Sequence, residues 1–468
     1  MSSAGAGGLP WTGLRGPLTG DPLAAQLFPL LPDQVRWGLD RTERLLARVG
    51  SPHKGLPTLH VAGTNGKGSV ARIWAAILEE AGFRVGLYTS PPLLSFRERI
   101  LVDGVPLTDE ELGEMAGELR SHLVKLAPSP FEAFTVLSLM AFRRMEVDLA
   151  VMEVGMGGRL DATNVVEPVL TAVTNVTLEH QAMLGSSIQA IAKEKAGILK
   201  SGVPAYTAAE NPEVLRVLTE EAASHGVPLT RVSPVAGQVS LEGLRCVVRT
   251  RRWGDLHLDS PLLGRHQLMN IALAVRSLEA LPPRFLPSRR AVESGVARAQ
   301  VPGRLQLEAE PPRTWLLDVA HNPAGASALV EAVRSFPLAE PRVGVVGILA
   351  DKEWPLMLEV LAGVMDRILL VVPPSAPVGR RWDPAAVVQT LPEAVRERVE
   401  LFGDGVGEVP ALDPALEAAM ARALERARAF TSEGGTVVVT GSFPVVGDVL
   451  RALDRIPAEA LPPSADSG

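Results

Sequence analysis

One cysteine, Cys246, stands in 468 residues, so no disulfide can close within the chain and a reducing cytoplasm is the expected setting. No apolar run approaches the roughly 18 residues that a membrane span needs. The opening MSSAGAGGLPWTGLRGPLTG lacks a basic start followed by an apolar block and does not read as a secretory signal. Positive charge is also wanting: the formal net charge of -7 argues against a general nucleic-acid binder. The phosphates of a small nucleotide would be held by local features instead. Lysine is scarce as well, with seven among 46 basic residues, at positions 54, 67, 125, 193, 195, 200 and 352. A guanidinium serves neither as a compact point charge on phosphate nor as a nucleophilic amine. Lys67 and the pair Lys193 and Lys195 therefore stand out as candidates for chemistry. No internal repeat is visible.

Hydrophobic residues make up 46% and charged residues 21%, the balance of a soluble globular protein. The length favours two domains. Residues 1–32 read as a flexible extension and 457–468, rich in Pro, Ala and Ser, as a frayed tail. The boundary between domains is expected near 305, giving 33–305 and 306–456.

The most informative stretch is LHVAGTNGKGSVARIWAAIL, Leu59 to Leu78. An apolar strand enters a turn with glycines at 63, 66 and 68, and the turn opens a helix with apolar Val70, Ile73, Trp74, Ile77 and Leu78. Such glycines let backbone N–H groups face a phosphate at the positive end of a helix. Lys67 adds a point charge. The general phosphate-loop pattern has a Ser or Thr directly after the lysine, and Gly68 stands there instead, so a magnesium-binding hydroxyl must come from elsewhere.

Apolar strands alternate with helical segments along the rest of the chain. Leu149 to Val154, Thr171 to Val176 and a strand 203–206 alternate with helices 188–199 and 212–224. A helical pattern also starts at Pro32 and ends at Val49. From about 230 to 262 short β segments suggest an inserted or edge hairpin, and alternation resumes after Arg304 with WLLDVA, RVGVVGIL, RILLVV and TVVVTGS. The fold class is α/β: an N-terminal P-loop ATPase domain with a parallel sheet wrapped by helices, and a smaller C-terminal Rossmann-like domain. Ligands bind such sheets at the carboxyl ends of their strands. Gly63 to Lys67, Ser90, Glu153 and His180 all fall at such ends.

Glu153, in MEVGMGGRLDATN, is a strand-end carboxylate followed by glycines, which suits Mg²⁺ bound to phosphate: hard oxygen, few protein ligands. His180 at another strand end is a second candidate ligand. Asp318 and His321, in DVAHNP, would meet ribose hydroxyls and phosphate if the domains face one another.

Taken in order, HVAGTNGKGS, the SP segment at 90, MEVGMGGRLDATN, EHQAMLG, IAKEKAGI, PGRLQ and DVAHNP resemble the folylpolyglutamate synthase / dihydrofolate synthase family of Mur-type ATP-dependent amide ligases. The resemblance spans about 35 to 450. It implies that Thr64, Asn65, Gly66 and Lys67, with Asn270, Arg304 and Asp318, bind ATP, and that His321 stands beside them. It implies that Ser90, Glu153 and His180 gather around magnesium, two ions in all, and that Lys195 is carbamylated to N6-carboxylysine. Lys67, Lys195 and His321 are then the catalytic set. Ser129, Pro130, Phe131 and Glu132, with Leu160, Asp161 and Ala162, match pterin-binding stretches. The implied substrates are ATP, glutamate and dihydropteroate or a reduced folate, and the implied protein is a cytoplasmic monomer. Two departures are visible: Pro92 replaces the family's usual His, and Glu179 precedes His180 where Asp is common. A peptidoglycan-type Mur ligase and a catalytically silent nucleotide-binding scaffold are the rival readings.

Overall fold

The architecture is that of a computed structural model, which describes residues 37–403 and 413–453 together with Leu23 and Leu27. Apart from those two leucines, the extension 1–32 lies outside the described residues. So do the tail 457–468 and the start of the helix read from Pro32, whose described part is Asp40–Arg48.

The first sheet has eight strands: β1 (Thr58–Ala62), β2 (Val85–Tyr88), β3 (Ile100–Val102), β4 (Val105–Pro106), β5 (Leu149–Glu153), β6 (Pro168–Val173), β7 (Ala205–Thr207) and β8 (Leu229–Arg231). Their order is β4-β3-β2-β5-β1-β6-β7-β8. From β2 to β8 the neighbours are parallel, while β3 and β4 turn back antiparallel at the edge. Residues of β1 and β5 are buried throughout, as central strands covered on both faces must be. The register sets the site: Val61 pairs with Glu153 and Ala62 with Val173, so the loop after β1 lies between the end of β5 and the segment after β6.

The expected strand Thr171 to Val176 instead ends at Val173. Thr174 and Asn175 leave the ladder to hold the loop after β1: Thr174 Oγ1 donates to Asn65 O at 2.7 Å and Asn65 N donates to Asn175 Oδ1 at 2.9 Å. The expected hairpin near 230–262 is a separate three-stranded antiparallel sheet of β9 (Gly237–Ser240), β10 (Gly243–Arg249) and β11 (Asp255–Ser260), in the order β11-β10-β9. Alternate residues of β10 and β11 are buried, and Cys246 is one of them.

The third sheet comprises β12 (Gln306–Glu310), β13 (Arg313–Asp318), β14 (Arg342–Val346), β15 (Arg367–Val371), β16 (Val399–Phe402) and β17 (Gly435–Thr440), in the order β12-β13-β17-β14-β15-β16. β12 is antiparallel and the others parallel. Asp318 and Val346 both pair with Thr440, so the loops after β13, β14 and β17 emerge together. The chain is thus mixed α/β with parallel-rich sheets.

Packing fixes the phosphate loop in place. The helix Lys67–Glu80 buries Val70, Ile73, Trp74, Ile77 and Leu78 at the expected spacing. Trp74 Nε1 donates to Ala274 O at 3.1 Å and to Ser277 Oγ at 3.0 Å, which locks this helix to His266–Leu278. Truncating such a buried Trp costs about 3–5 kcal/mol. The same packing places Asn270 against Gly66.

Candidate active site

Gly63 has φ 147°, and a Cβ there would collide with Thr174 Oγ1, so the close approach of two segments requires glycine. Gly66, at φ 86°, caps the helix that begins with Lys67. The first amides of that helix have no intrahelical acceptor and carry the positive end of its dipole, which makes an anion site. Lys67 Nζ donates to Gly63 O at 3.1 Å and Thr64 O at 3.0 Å. Thr64 Oγ1 accepts from Thr177 N at 3.1 Å.

Glu153 is 4% exposed and its Oε2 accepts from Ser90 N at 3.0 Å. Among the described residues it makes no ion pair, and it lines the cleft. Burial pushes its carboxyl up, against the opposing charge of Lys67 and the Ser90 amide. A buried carboxylate on a cavity wall without a paired cation suits a hard metal ion. No group of three His, Cys, Asp or Glu side chains forms a complete cage among the described residues. Ser90, Glu153 and His180 make a sparse donor set, which fits Mg²⁺ because that ion keeps water and phosphate oxygens in its shell.

Lys195 is 4% exposed, and its Nζ donates to Gly63 O at 2.8 Å, the carbonyl that Lys67 also uses. Burial first, then the charge of Lys67, pushes its amine down to about 7. It is therefore nucleophilic near neutrality. Lys193, its partner in the sequence argument, does not join the site: it is 66% exposed and pairs with Glu221 at 3.3 Å.

The loops after β13, β14 and β17 form the opposite wall. His321 Nδ1 lies 3.1 Å from Val319 O, and its Nε2 lies 3.3 Å from Glu179 Oε1. Lys352 Nζ approaches the same Glu179 oxygen at 3.6 Å, and His180 Nε2 at 3.4 Å. Burial would raise Glu179, but the hydrogen bond from His321 and the surrounding basic groups hold it well below the usual carboxylate range. Burial pushes His180 down to about 3, with the charge of Lys352 acting in the same direction. Glu179 thus ties the first sheet's loops to the third sheet's. A second cross-link joins Asn322 Nδ2 to Asn65 Oδ1 at 3.0 Å. Arg304 stacks 5.5 Å from the Phe443 ring.

These walls enclose a cavity of about 280 Å³. Thr64, Gly66, Lys67, Ser90, Glu153, His180, Lys195, Arg304 and His321 line it, and so do Ser129–Glu132 and Leu160–Ala162. Asn65, Asn270 and Asp318 stand behind the wall. Asp318 has both oxygens occupied, by Leu305 N at 2.9 Å and Ala320 N at 2.8 Å. Asn270 Nδ2 donates to Gln267 Oε1 at 2.8 Å.

The residues expected to bind the pterin line the cavity but spend their polar atoms locally. Ser129 and Glu132 form a capping box on the helix Pro130–Arg144, and Glu132 also pairs with Arg41 at 3.1 Å. Asp161 accepts from Met156 N at 2.9 Å and Thr163 N at 3.0 Å, holding the loop after β5. Phe131 presents its ring, packed so closely on Gly155 that a Cβ there would clash. Lys352, Phe443 and Arg99 also line the cavity and escaped sequence reasoning. Lysine scarcity was a usable signal for Lys352; no motif marked the other two.

Two family models match the chain, the Mur ligase middle domain over residues 61–278 and the Mur ligase, glutamate ligase domain over 303–443. The dihydrofolate synthase/folylpolyglutamate synthase of Bacillus subtilis (strain 168) is 37% identical over 348 residues, covering 71% of this chain and 80% of that protein. A crystal structure of Mycobacterium tuberculosis folylpolyglutamate synthase complexed with ADP and AMPPCP is similar, with TM-score 0.81 and 32% identity over 93% of this chain and all (100%) of that one. E. coli FolC in complex with DHPP and ADP gives TM-score 0.78 and 31% identity, over 92% of this chain and 98% of that chain.

Proposed function

The chain belongs to the dihydrofolate synthase/folylpolyglutamate synthase family of Mur-type ligases, and from that premise we propose that its cleft joins L-glutamate to a pterin acid, dihydropteroate or a folate, at the expense of ATP. The observation that carries this reading is the meeting, on one cavity, of the phosphate loop with Lys67, the unpaired carboxylate of Glu153, and Arg304 and His321 from the opposite wall. It is an ATP-dependent ligase acting on small-molecule substrates. The eight-stranded sheet and the six-stranded sheet support two domains meeting near residue 305.

A carboxylate is a poor electrophile at neutral pH. In the reading proposed here, an oxygen of the pterin acid attacks the γ-phosphorus of ATP, the bond to the β-phosphate oxygen breaks, and ADP departs, leaving an acyl phosphate. The amine of glutamate, having lost its proton, then attacks the acyl carbon, and inorganic phosphate leaves as the amide forms. Lys67 and Arg304 face the charge that spreads over the transferred phosphoryl, the usual dominant contribution in such chemistry. Thr64 and Gly66 shape the loop around the phosphates, with Asn65, Asn270 and Asp318 supporting from behind. The Glu179 contacts hold His321 and Lys352 across the cleft, where they would close it over the acyl phosphate against hydrolysis by water.

Ser90, Glu153 and His180 are the residues that would hold Mg²⁺, which supplies neutralisation of phosphate charge when bound. The neutral amine of Lys195 would add to CO₂, losing a proton to give a carbamate and thus one more oxygen donor for a second ion. The buried lone Cys246 suits a reducing cytoplasm, and no described helix is long and apolar enough to cross a membrane.

The test is mass spectrometry of products formed from ATP, Mg²⁺ and glutamate with dihydropteroate in one tube and tetrahydrofolate in another. A gain of one glutamate residue in both is expected, marking a bifunctional enzyme. Product in neither tube would overturn the pterin reading in favour of a different acyl acceptor.

A further inference from the structure

The turn after β2 carries two leucines out of their own domain. Leu93 and Leu94 are 6% and 8% exposed, and they pack in a cluster with Leu317, Val319, Val445, Val446, Val449 and Leu450. Every other member of that cluster lies beyond residue 305. The helix Phe443–Ala452 makes room at Gly447, where a Cβ would collide with Leu93 O. Arg451, on the same helix, donates from Nη2 to Leu94 O at 3.4 Å. The other end of the turn lies in the cleft: Ser90 N donates to Glu153 Oε2 at 3.0 Å, and Ser90, Pro91, Pro92 and Leu93 line the cavity.

One side chain folds this turn. Glu98 is 6% exposed, and its carboxylate accepts from three successive amides, Leu93 N at 2.7 Å, Leu94 N at 2.6 Å and Ser95 N at 2.7 Å. The Ser95 bond belongs to the capping box of the short helix Phe96–Arg99, the ordinary use of a glutamate at that position. The other two bonds go beyond capping. Through them Leu93 and Leu94 give their amides to Glu98, while their carbonyls meet the helix Phe443–Ala452 of the opposite domain. Glu98 stands behind the cavity wall, so it acts only through the turn. The Glu179 and Asn65 ties between the domains are polar and open to competition from water and substrate, whereas buried leucines are not. An acyl phosphate waiting for its amine is lost to water unless the cleft stays shut.

We propose that Glu98 is a positioning residue for the ligation step: it shapes the turn that plugs Leu93 and Leu94 into the third-sheet domain, and this plug keeps the cleft closed until glutamate attacks. The proposal rests on the ligase reading above. When the plug is loosened, water replaces the amine at the acyl carbon, the pterin acid is regenerated and inorganic phosphate leaves without an amide. The experiment therefore measures phosphate released per amide formed, with ATP, Mg²⁺, glutamate and dihydropteroate or tetrahydrofolate. ADP affinity and melting temperature report whether each variant is intact. Glu98→Gln keeps the size but turns an acceptor oxygen into an N–H donor facing backbone N–H groups. It is expected to raise the ratio from one to about five or more and to lower amide turnover about 10-fold, with ADP affinity within about threefold of the wild type. Gly447→Ala strikes the same contact from the other domain and is expected to uncouple the reaction likewise, which keeps the test available if Glu98→Gln does not fold. The double variant should be no more uncoupled than the worse single one, because both act on one plug. A ratio of one in folded variants, or additive uncoupling in the double variant, would overturn the assignment and leave the ligase reading standing. A wild type that forms no amide from either acid would overturn both.

Discussion

At the phosphate end of the cleft, Lys67, Glu153 and Lys195 line the cavity with charge or a reactive amine, whereas at the acceptor end Ser129 and Asp161 have turned their polar atoms into the backbone and Glu132 divides its own between the Ser129 amide and Arg41. Both groups occupy sequence motifs, and both sit on the same wall. On the proposed reading the first would do its work by touching what binds, because charge stabilisation of a transferring phosphoryl needs direct contact. The second would do its work by holding loops in shape, leaving Phe131 to present its ring to the cavity. On that reading a motif residue can belong to a binding site without contacting the ligand.

The contrast breaks first, and by the largest effect, at Lys67. Lys67→Ala removes the only side-chain cation on the phosphate loop and is expected to lower single-turnover product formation about 10³-fold or more. The fold should be retained, since the ammonium contacts only the Gly63 and Thr64 carbonyls of its own loop. Turnover within tenfold of the wild type, with an unchanged melting temperature, would remove the phosphate end from the chemistry.

Lys195 sharpens the same side of the comparison. Lys195→Ala is expected to reduce turnover about 100-fold while ADP affinity changes little. In the wild type the amine is pushed down from 10.5 to about 7, so carbamate formation, which needs the neutral amine, should weaken as pH falls through about 7 and recover with added bicarbonate. Stability follows the same sign: between about 7 and 10.5 the unfolded chain binds more protons at this lysine, so this contribution rises with pH across that window and is least favourable below it. Activity indifferent to bicarbonate at pH 6 would count against a carbamate, and ¹³C-labelled bicarbonate with NMR detection reads the modification directly.

Much of the phosphate end is legible from sequence because chemistry there restricts residue type. Glycines at 63 and 66 are demanded by φ and by close approach, and Lys67 and Lys195 stand out in a chain that otherwise prefers arginine. The parallel strands are equally visible as buried apolar runs. Less legible are elements whose pattern comes from tertiary position: β12 is a half-buried edge strand of alternating Gln, Leu and Glu, and its antiparallel pairing with β13 leaves no local mark. Glu179 shows the same limit. Its sequence neighbourhood points to His180, but the cross-sheet contacts to His321 and Lys352 depend on how the loops after β6, β13 and β14 meet. Arg99 is one arginine among many in the sequence, and only its burial against the rings of Phe96, Phe131 and Phe134 singles it out.

The smallest expected effect tests the acceptor end. Ser129 Oγ accepts from Glu132 N at 3.3 Å, and Glu132 Oε2 accepts in return from Ser129 N at 2.6 Å, so Ser129→Ala removes half of a capping box and leaves the other half in place. The loss is about 1 kcal/mol of stability, which corresponds to a fall of about 2 °C in melting temperature for a chain of this size. Turnover at saturating substrate should stay within about twofold, with a slightly higher KM for the pterin acid, because the capped turn carries Phe131 into the cavity. The conservative variant Ser129→Thr keeps an acceptor oxygen at the cap and should restore the melting temperature. If Ser129→Ala instead lost about 100-fold in turnover at an unchanged melting temperature, its hydroxyl would be contacting the acceptor directly. The two ends of the cleft would then work by the same means.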